Sequence, residues 1–128
     1  MDSMIDQPNS LNYVLDSFRD NTIQTPFFKE FPHLKVTNGV RYAAEHYSLQ
    51  WMISVIFCSQ DLYLFDSFPF QIWHFQRISD SKVMIVASNV FGRVVFTEKI
   101  DDGLFRHDYF KLFMVEKLLL LPSETKGS

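Results

Sequence analysis

The sequence predicts a single α+β domain: an N-terminal helix and one long central helix packed on an antiparallel sheet of about four strands. Three observations predict it. The segment from Val36 to Gln60 carries a helix-start signal followed by an apolar run. Three short stretches rich in β-branched and aromatic residues follow between 70 and 100, separated by polar or glycine-containing turns. The chain has 128 residues, close to the commonest domain size, and shows no internal repeat, low-complexity tract or linker.

Residues 1–9 read as a frayed N-terminus, 10–122 as the domain and 123–128 as a disordered tail. From Ser10, Leu11, Val14, Leu15 and Phe18 fall at helical spacing, with Asn9 or Ser10 as cap, which predicts a helix ending near Asn21. In "TIQTPFFKEFPHLK" Pro26 and Pro32 disfavour helix in the residues before them, so the segment reads as a loop pinned by Phe27, Phe28 and Phe31. Thr37 or Asn38 can cap the central helix, and Gly39 suits a tight entry. Val40, Ala44, Tyr47, Trp51 and Val55 line one face. Ala43, Met52, Ile53, Ile56 and Phe57 widen the stripe until the helix is apolar nearly all round, the pattern of a buried helix.

"FQIWHFQRI" (70–78), "KVMIVASNV" (82–90) and "RVVFTEKI" (93–100) give an antiparallel meander. Residues 110–121 fit helix or strand by period. A strand is preferred, because it widens the sheet enough to cover the helix.

Composition excludes several functions. Net charge is −3 and the twelve Lys and Arg residues are scattered singly, so the clustered basic footprint of a nucleic-acid binder is missing. The acidic start "MDSMIDQPNS" is no secretory signal, and the uncharged run from Tyr47 to Gln60 is short of the ~20 residues of a membrane span. With one cysteine, no internal disulfide is available, and a cytoplasmic protein is expected.

No cofactor or metal site is expected, and no catalytic residue is assigned. His33, His46, His74 and His107 are far apart in sequence and lack the close ligand pair that announces zinc. Cys58 ends the apolar run "SVIFC", where an inert thiol is expected; a nucleophile activated by His74 is the least favoured reading. Asp101-Asp102 precedes Gly103 in a turn, and Asp61 and Asp66 flank a loop, so neither pair reads as an acid–base couple. Four glycines form no phosphate-cradling loop. Arg41 and Glu45, four apart, form at most a weak exposed pair.

What remains is an aromatic surplus, fourteen Phe, five Tyr and two Trp. Tyr63, Phe65, Phe68 and Phe70 crowd a segment broken by Pro69; they either fold back over the central helix or mark an interface. Trp51 and Trp73 either pack the helix on the sheet or sandwich a flat ligand.

Thr37-Asn38-Gly39-Val40-Arg41-Tyr42-Ala43-Ala44-Glu45, Trp51, Phe70-Gln71-Ile72-Trp73 and Leu119-Leu120-Leu121-Pro122-Ser123-Glu124 together resemble an uncharacterised family of small bacterial proteins, a domain of unknown function. That family's pattern is a T-(D/N)-G-V-x-Y-x-A-E helix start, a Trp in the same helix, an F-Q-x-W strand and an L-L-L-P-S-E ending. The similarity covers roughly residues 27–124. The turn from Asn89 to Gly92 departs from the pattern, which more often has Asp-Gly or Gly-Asn there. The resemblance implies an α+β fold and no activity.

The functional expectation is therefore a small non-enzymatic protein-interaction module that binds another protein and self-associates as a homodimer through an aromatic face or a free sheet edge. A phage or mobile-element inhibitor of a host defence enzyme is one concrete form. A ligand sensor with a Trp51–Trp73 pocket is the alternative.

Overall fold

The computed structural model describes residues 7–60, 68–101 and 105–125. Its elements are α1 (Leu11–Val14), β1 (Gln24–Pro26), β2 (Lys35–Thr37), α2 (Asn38–Tyr47), α3 (Gln50–Ser59), β3 (Phe70–Ser79), β4 (Lys82–Ser88), β5 (Val94–Asp101), β6 (Tyr109–Val115), β7 (Leu118–Leu120) and a closing 3-10 turn (Pro122–Thr125). The fold is α+β, as the sequence predicts. The sheet, however, has seven strands in the order β1-β2-β7-β6-β3-β4-β5 rather than about four. It is mixed, because β2 and β7 run parallel while the other neighbours are antiparallel.

The expected meander is present as β3, β4 and β5, and residues 109–120 are strand, not helix. They form two strands rather than one. Glu116 takes a positive φ of 56°, turning the chain so that Leu118 pairs with Val115 and Leu120 with Phe113. β1 and β2 lie where a loop was expected. Each is only three residues long, too short to show an alternation, and β1 is an outer strand, where Pro26 is tolerated.

The central helix is two helices, a second correction. Thr37 caps α2 as expected, its hydroxyl accepting from the Val40 N–H. At the other end Ser48 is left-handed, with φ 56° and ψ 48°, and the chain restarts as α3. The widening apolar stripe explains why. α2 buries Gly39, Val40, Ala43 and Ala44, whereas α3 buries Met52, Ile53, Ile56 and Phe57. A straight helix cannot turn so large a fraction of its circumference to one sheet; a break at Ser48 re-aims the second half and sends Leu49 into the core. The first helix is also shorter than expected. After Val14 it passes into turns held by Leu15 N–H to Leu11 C=O and Phe18 N–H to Leu15 C=O.

The core lies on one side of the sheet. Val36, Trp73, Phe75, Val83, Ile85, Ala87, Phe110, Leu112, Met114 and Leu119 point to it from the strands. Leu11, Leu15, Val40, Ala43, Ala44, Met52, Ile53, Ile56 and Phe57 meet them from the helices. Phe27, Phe28 and Phe31 pack on this core, Phe28 and Phe31 each edge-on to Phe57, as the pinning of that segment predicted.

Two buried polar devices close the layer. The Glu124 carboxylate, wholly buried, reaches the start of α2: Oε1 accepts from Thr37 Oγ1 (2.5 Å) and Leu121 N–H (2.8 Å), and Oε2 accepts from Gly39 N–H (3.0 Å). A helix start leaves N–H groups unpaired and favours negative charge, so this carboxylate completes the cap begun by Thr37. Gly39 is required here, since a Cβ on it would sit 2.7 Å from both Glu124 Oε2 and Leu121 Cδ1. The tail is therefore ordered through Thr125, not frayed from Ser123, and Ser123 donates its hydroxyl to Phe18 C=O.

The second device joins α3 to β3. Gln60 and Gln71 exchange amide hydrogen bonds at 2.8 Å in both directions; Gln60 also donates to Ile56 C=O, Gln71 to Phe68 C=O, and Trp73 Nε1–H donates to Gln71 Oε1. Every amide hydrogen of the pair has a geometry-fixed acceptor, the condition under which a buried polar network is stable.

Asn12 makes a third, smaller joint. β7 pairs with β6 only from Phe113 to Val115. Beyond that end, Asn12 accepts from Lys111 N–H (2.7 Å) and donates to Lys111 C=O (2.8 Å), substituting for a strand neighbour.

Candidate functional site

Side chains alternate along a strand, so the register that buries one set of residues presents the other set on the opposite face. That set forms rows. Val115 lies beside Phe70. Phe113, Ile72, Ser88 and Val94 form the next row, then Lys111, His74, Val86 and Thr97, then Tyr109, Gln76, Met84 and Lys99. Leu118 and Lys35 continue the face across β7 and β2. Among the described residues no helix lies over this face. Phe70, Ile72, His74, Met84, Val86, Lys111, Phe113, Val115 and Leu118 are all only half-buried.

The first two rows are apolar, with Phe70 and Phe113 in ring contact at 5.4 Å. The β4–β5 turn continues this end. Asn89 Oδ1 accepts from Phe91 N–H and Arg93 N–H, Gly92 N–H donates to Asn89 C=O, and Asn89 N–H donates to Arg93 C=O, with Gly92 at φ 83°. This tightly bonded turn displays Phe91 at 90% exposure beside the exposed Val90 and Val94. Turns are ordinarily polar at their tips, and a bare phenylalanine on a rigid one is unusual. The other two rows mix polar side chains with Val86 and Met84: His74 and Tyr109 are hydrogen-bonded, and Lys111 reaches over the Phe113 ring.

The residues singled out from sequence scatter. Tyr63 and Phe65 lie outside the described residues. Phe68 packs on the core, whereas its neighbour Phe70 stands on the open face. Trp73 is fully buried and Trp51 half-buried; each contacts Phe75, Trp51 edge-on at 5.9 Å and Trp73 stacked at 6.5 Å. Packing thus accounts for both indoles, although Trp51 Nε1 has no hydrogen-bond partner among the described residues.

Cys58 is exposed rather than buried, near Ser54 and in a hollow of about 410 Å³ shared with Val55, Ser59, Phe96 and Glu98. His74 is not among the lining residues. His46 and His107, distant in sequence, share a hollow of about 240 Å³ with Tyr47, Ser48, Phe105 and Arg106. His46 stacks on Tyr42, and burial, with Arg77 adding to it and Asp108 opposing, holds the His107 pKa below its usual value. No three His, Cys, Asp or Glu side chains among the described residues group as metal ligands. Arg41 is more than an ion-pair partner of Glu45 (3.7 Å): it also donates to Thr25 Oγ1 and Pro26 C=O and lies over Phe27, pinning β1.

Sequence reading missed Glu124, the Gln60–Gln71 pair and the open-face set Ile72, Val86, Phe113 and Phe91. The alternation of β3 was the available signal for that face. Its even-numbered positions are as apolar at the start as its odd ones.

Residues 11–125 match a family of unknown function. The chain belongs to that family, DUF6876. No curated protein and no solved structure matches it. The stretches on which the resemblance rests meet in the fold. The T-N-G-V segment and the L-L-L-P-S-E segment touch through Glu124, and F-Q-x-W contains both Gln71 and Trp73. In this chain those stretches hold the fold together, and of the F-Q-x-W residues Phe70 and Ile72, both half-buried, face outward. No described helix is long and apolar enough to cross a membrane.

Proposed function

We propose that this protein is a non-enzymatic interaction module that binds another protein through the apolar end of its open sheet face. One observation carries the reading. A sheet in a two-layer domain ordinarily turns a polar face to water, whereas this one turns Phe70, Ile72, Phe113, Val115 and Leu118 outward, with Val94 and the Phe91 tip at the same end. Aromatic side chains on a rigid support are the residues that most often dominate a protein interface. An inhibitor that occludes a partner enzyme is one form this activity takes. The lone thiol of Cys58 supports a cytoplasmic setting.

The test is affinity capture from the native cell with three forms of the full chain: wild type, Ile72→Glu with Phe113→Ser, and Glu45→Ala on the helix side. The expected result is a partner recovered with wild type and Glu45→Ala and lost with the double variant. Equal recovery with all three refutes the assignment.

A ligand-sensor reading retains one supporting observation, the unpartnered indole N–H of Trp51. A shift in Trp fluorescence on adding a metabolite panel, abolished by Trp51→Phe, supports that reading instead.

A further inference from the structure

We infer that the hollow between the end of α2 and the segment entering β6 is a binding site for a small anion carried on one planar ring, an aromatic carboxylate being the simplest form. The site is built from α2 and residues 105–107, so it stands apart from the protein-binding reading of the open face.

The break between α2 and α3 builds one wall. Ser48, left-handed at φ 56° and ψ 48°, ends α2, and His46, Tyr47 and Ser48 line the hollow there. Glycine adopts this backbone at least cost, and a serine held in it is the kind of strained position that collects at ligand sites. The Ser48 hydroxyl has no hydrogen-bond partner among the described residues. Phe105, Arg106 and His107 form the other wall. Phe105 is buried; Tyr47 meets the His107 ring edge-on at 5.4 Å, and Phe105 lies tilted to that ring at 6.2 Å. Flat rings therefore make much of the lining, a surface on which another ring packs well. At about 240 Å³ the hollow is smaller than the ~300–1,000 Å³ of pockets for drug-sized ligands, so its ligand is small.

Charge sets the polar end of that ligand. Arg19, Arg41 and Arg77 are each held by a described acidic residue, Asp16, Glu45 and Asp108. Arg106 is exposed, lines the hollow and is bonded to none of the described residues. Its guanidinium presents a fork of donors whose geometry matches a carboxylate or phosphate. Asp108, the acidic neighbour of His107, is bonded to Asn9 (3.1 Å) and lies 3.9 Å from Arg77. Around His107 stand Asp108 beside it, Arg77 from β3, Arg106, and His46 and Tyr47 from α2. Burial keeps that imidazole below its usual pKa, and an anion bound beside it favours the charged form.

The test is an NMR titration of the isotope-labelled full chain with benzoate, inorganic phosphate and uncharged benzamide. Benzoate should give saturable shifts at Tyr47, Ser48, Arg106 and His107, phosphate weaker ones and benzamide none. Arg106→Ala should weaken benzoate binding roughly tenfold, and Ser48→Gly, which suits the left-handed backbone but lacks the hydroxyl, about fivefold. Arg93→Ala, at an exposed arginine outside the hollow, should leave it unchanged. Benzoate should also move the His107 titration midpoint, followed by its ring protons, to higher pH. The melting temperature of each variant confirms that it folds. No saturable shift with benzoate, or benzamide or phosphate binding as tightly, overturns the inference. So does binding indifferent to Arg106→Ala, or a His107 midpoint that stays in place. None of these outcomes touches the capture experiment on the open face.

Discussion

The two faces of one sheet behave as different materials. On the helix side, Trp73, Phe75, Ile85 and Leu112 are sealed from water, and the buried Gln60, Gln71 and Glu124 side chains each sit in a network with named partners. On the other side, Ile72, Val86 and Phe113, chemically as apolar, remain half-exposed on the same strands. Hydrophobicity along β3 therefore does not tell core from surface. The difference is what lies above each face, and it teaches that the helix side was shaped for stability while the open side still has unused contact area.

Breaking the helix side should cost most. Trp73→Ala removes a fully buried indole and frees Gln71 from one bond, and a loss of about 3–5 kcal/mol in denaturant unfolding is expected. Glu124→Ala leaves the Thr37 hydroxyl and the N–H groups of Gly39 and Leu121 without their acceptor, and roughly 3 kcal/mol should be lost. Gly39→Ala forces the same carboxylate aside by steric contact, at about 1–3 kcal/mol. If these variants unfold no more easily than wild type, the carboxylate is not the cap described above.

A pH titration sharpens the same side. Burial raises the Glu124 pKa above its usual 4.5, with the hydrogen bonds from Thr37, Leu121 and Gly39 pulling the other way. The folded state thus holds the proton more tightly than the unfolded one. The stabilisation linked to that proton is complete below 4.5 and is lost as pH rises through the raised folded value. His107 has the opposite sign: its pKa lies below 6.5, so its contribution is present above 6.5 and lost as pH falls through the folded value. The difference in stability between wild type and Glu124→Ala, followed with pH, should therefore move in wild type's favour on acidification. A flat difference contradicts the raised carboxylate.

The smallest effect on stability belongs to the open side. Phe91→Ser should shift the unfolding free energy by no more than about 0.5 kcal/mol while impairing capture of the partner. If Phe91→Ser destabilises the chain as Trp73→Ala does, the contrast between the faces fails.

Much of this contrast could be read from the sequence, and the rest had physical reasons for staying hidden. The meander from 70 to 100 and a cap at Thr37 or Asn38 follow from local pattern and turn residues, whereas the strand at 110–121 is preferred only for the width of the sheet, and its division at Glu116 carries no local marker. The break at Ser48 does not follow either, because a left-handed serine carries no marker and the apolar pattern continues through it. Three-residue strands such as β1 and β2 carry too few side chains to show a period. The candidate site was half legible: Phe70 was chosen for its aromatic neighbourhood and does face outward, but its partner Phe113 is brought beside it only by the β3–β6 register. Glu124 was read as tail, since nothing local distinguishes a carboxylate bound to a helix start 87 residues earlier from one in water.

That separation bears on how the protein is made. A ribosome must polymerise 87 further residues after Thr37, and 85 after Gly39, before the carboxylate that satisfies them exists. Until then the nascent α2 carries an unfinished end, and β2 lacks its parallel neighbour β7, which is made only after β3 to β6. Maturation of this domain thus waits until Glu124 has been made, and slow, chain-spanning closure rather than step-by-step folding is the kinetics its topology imposes.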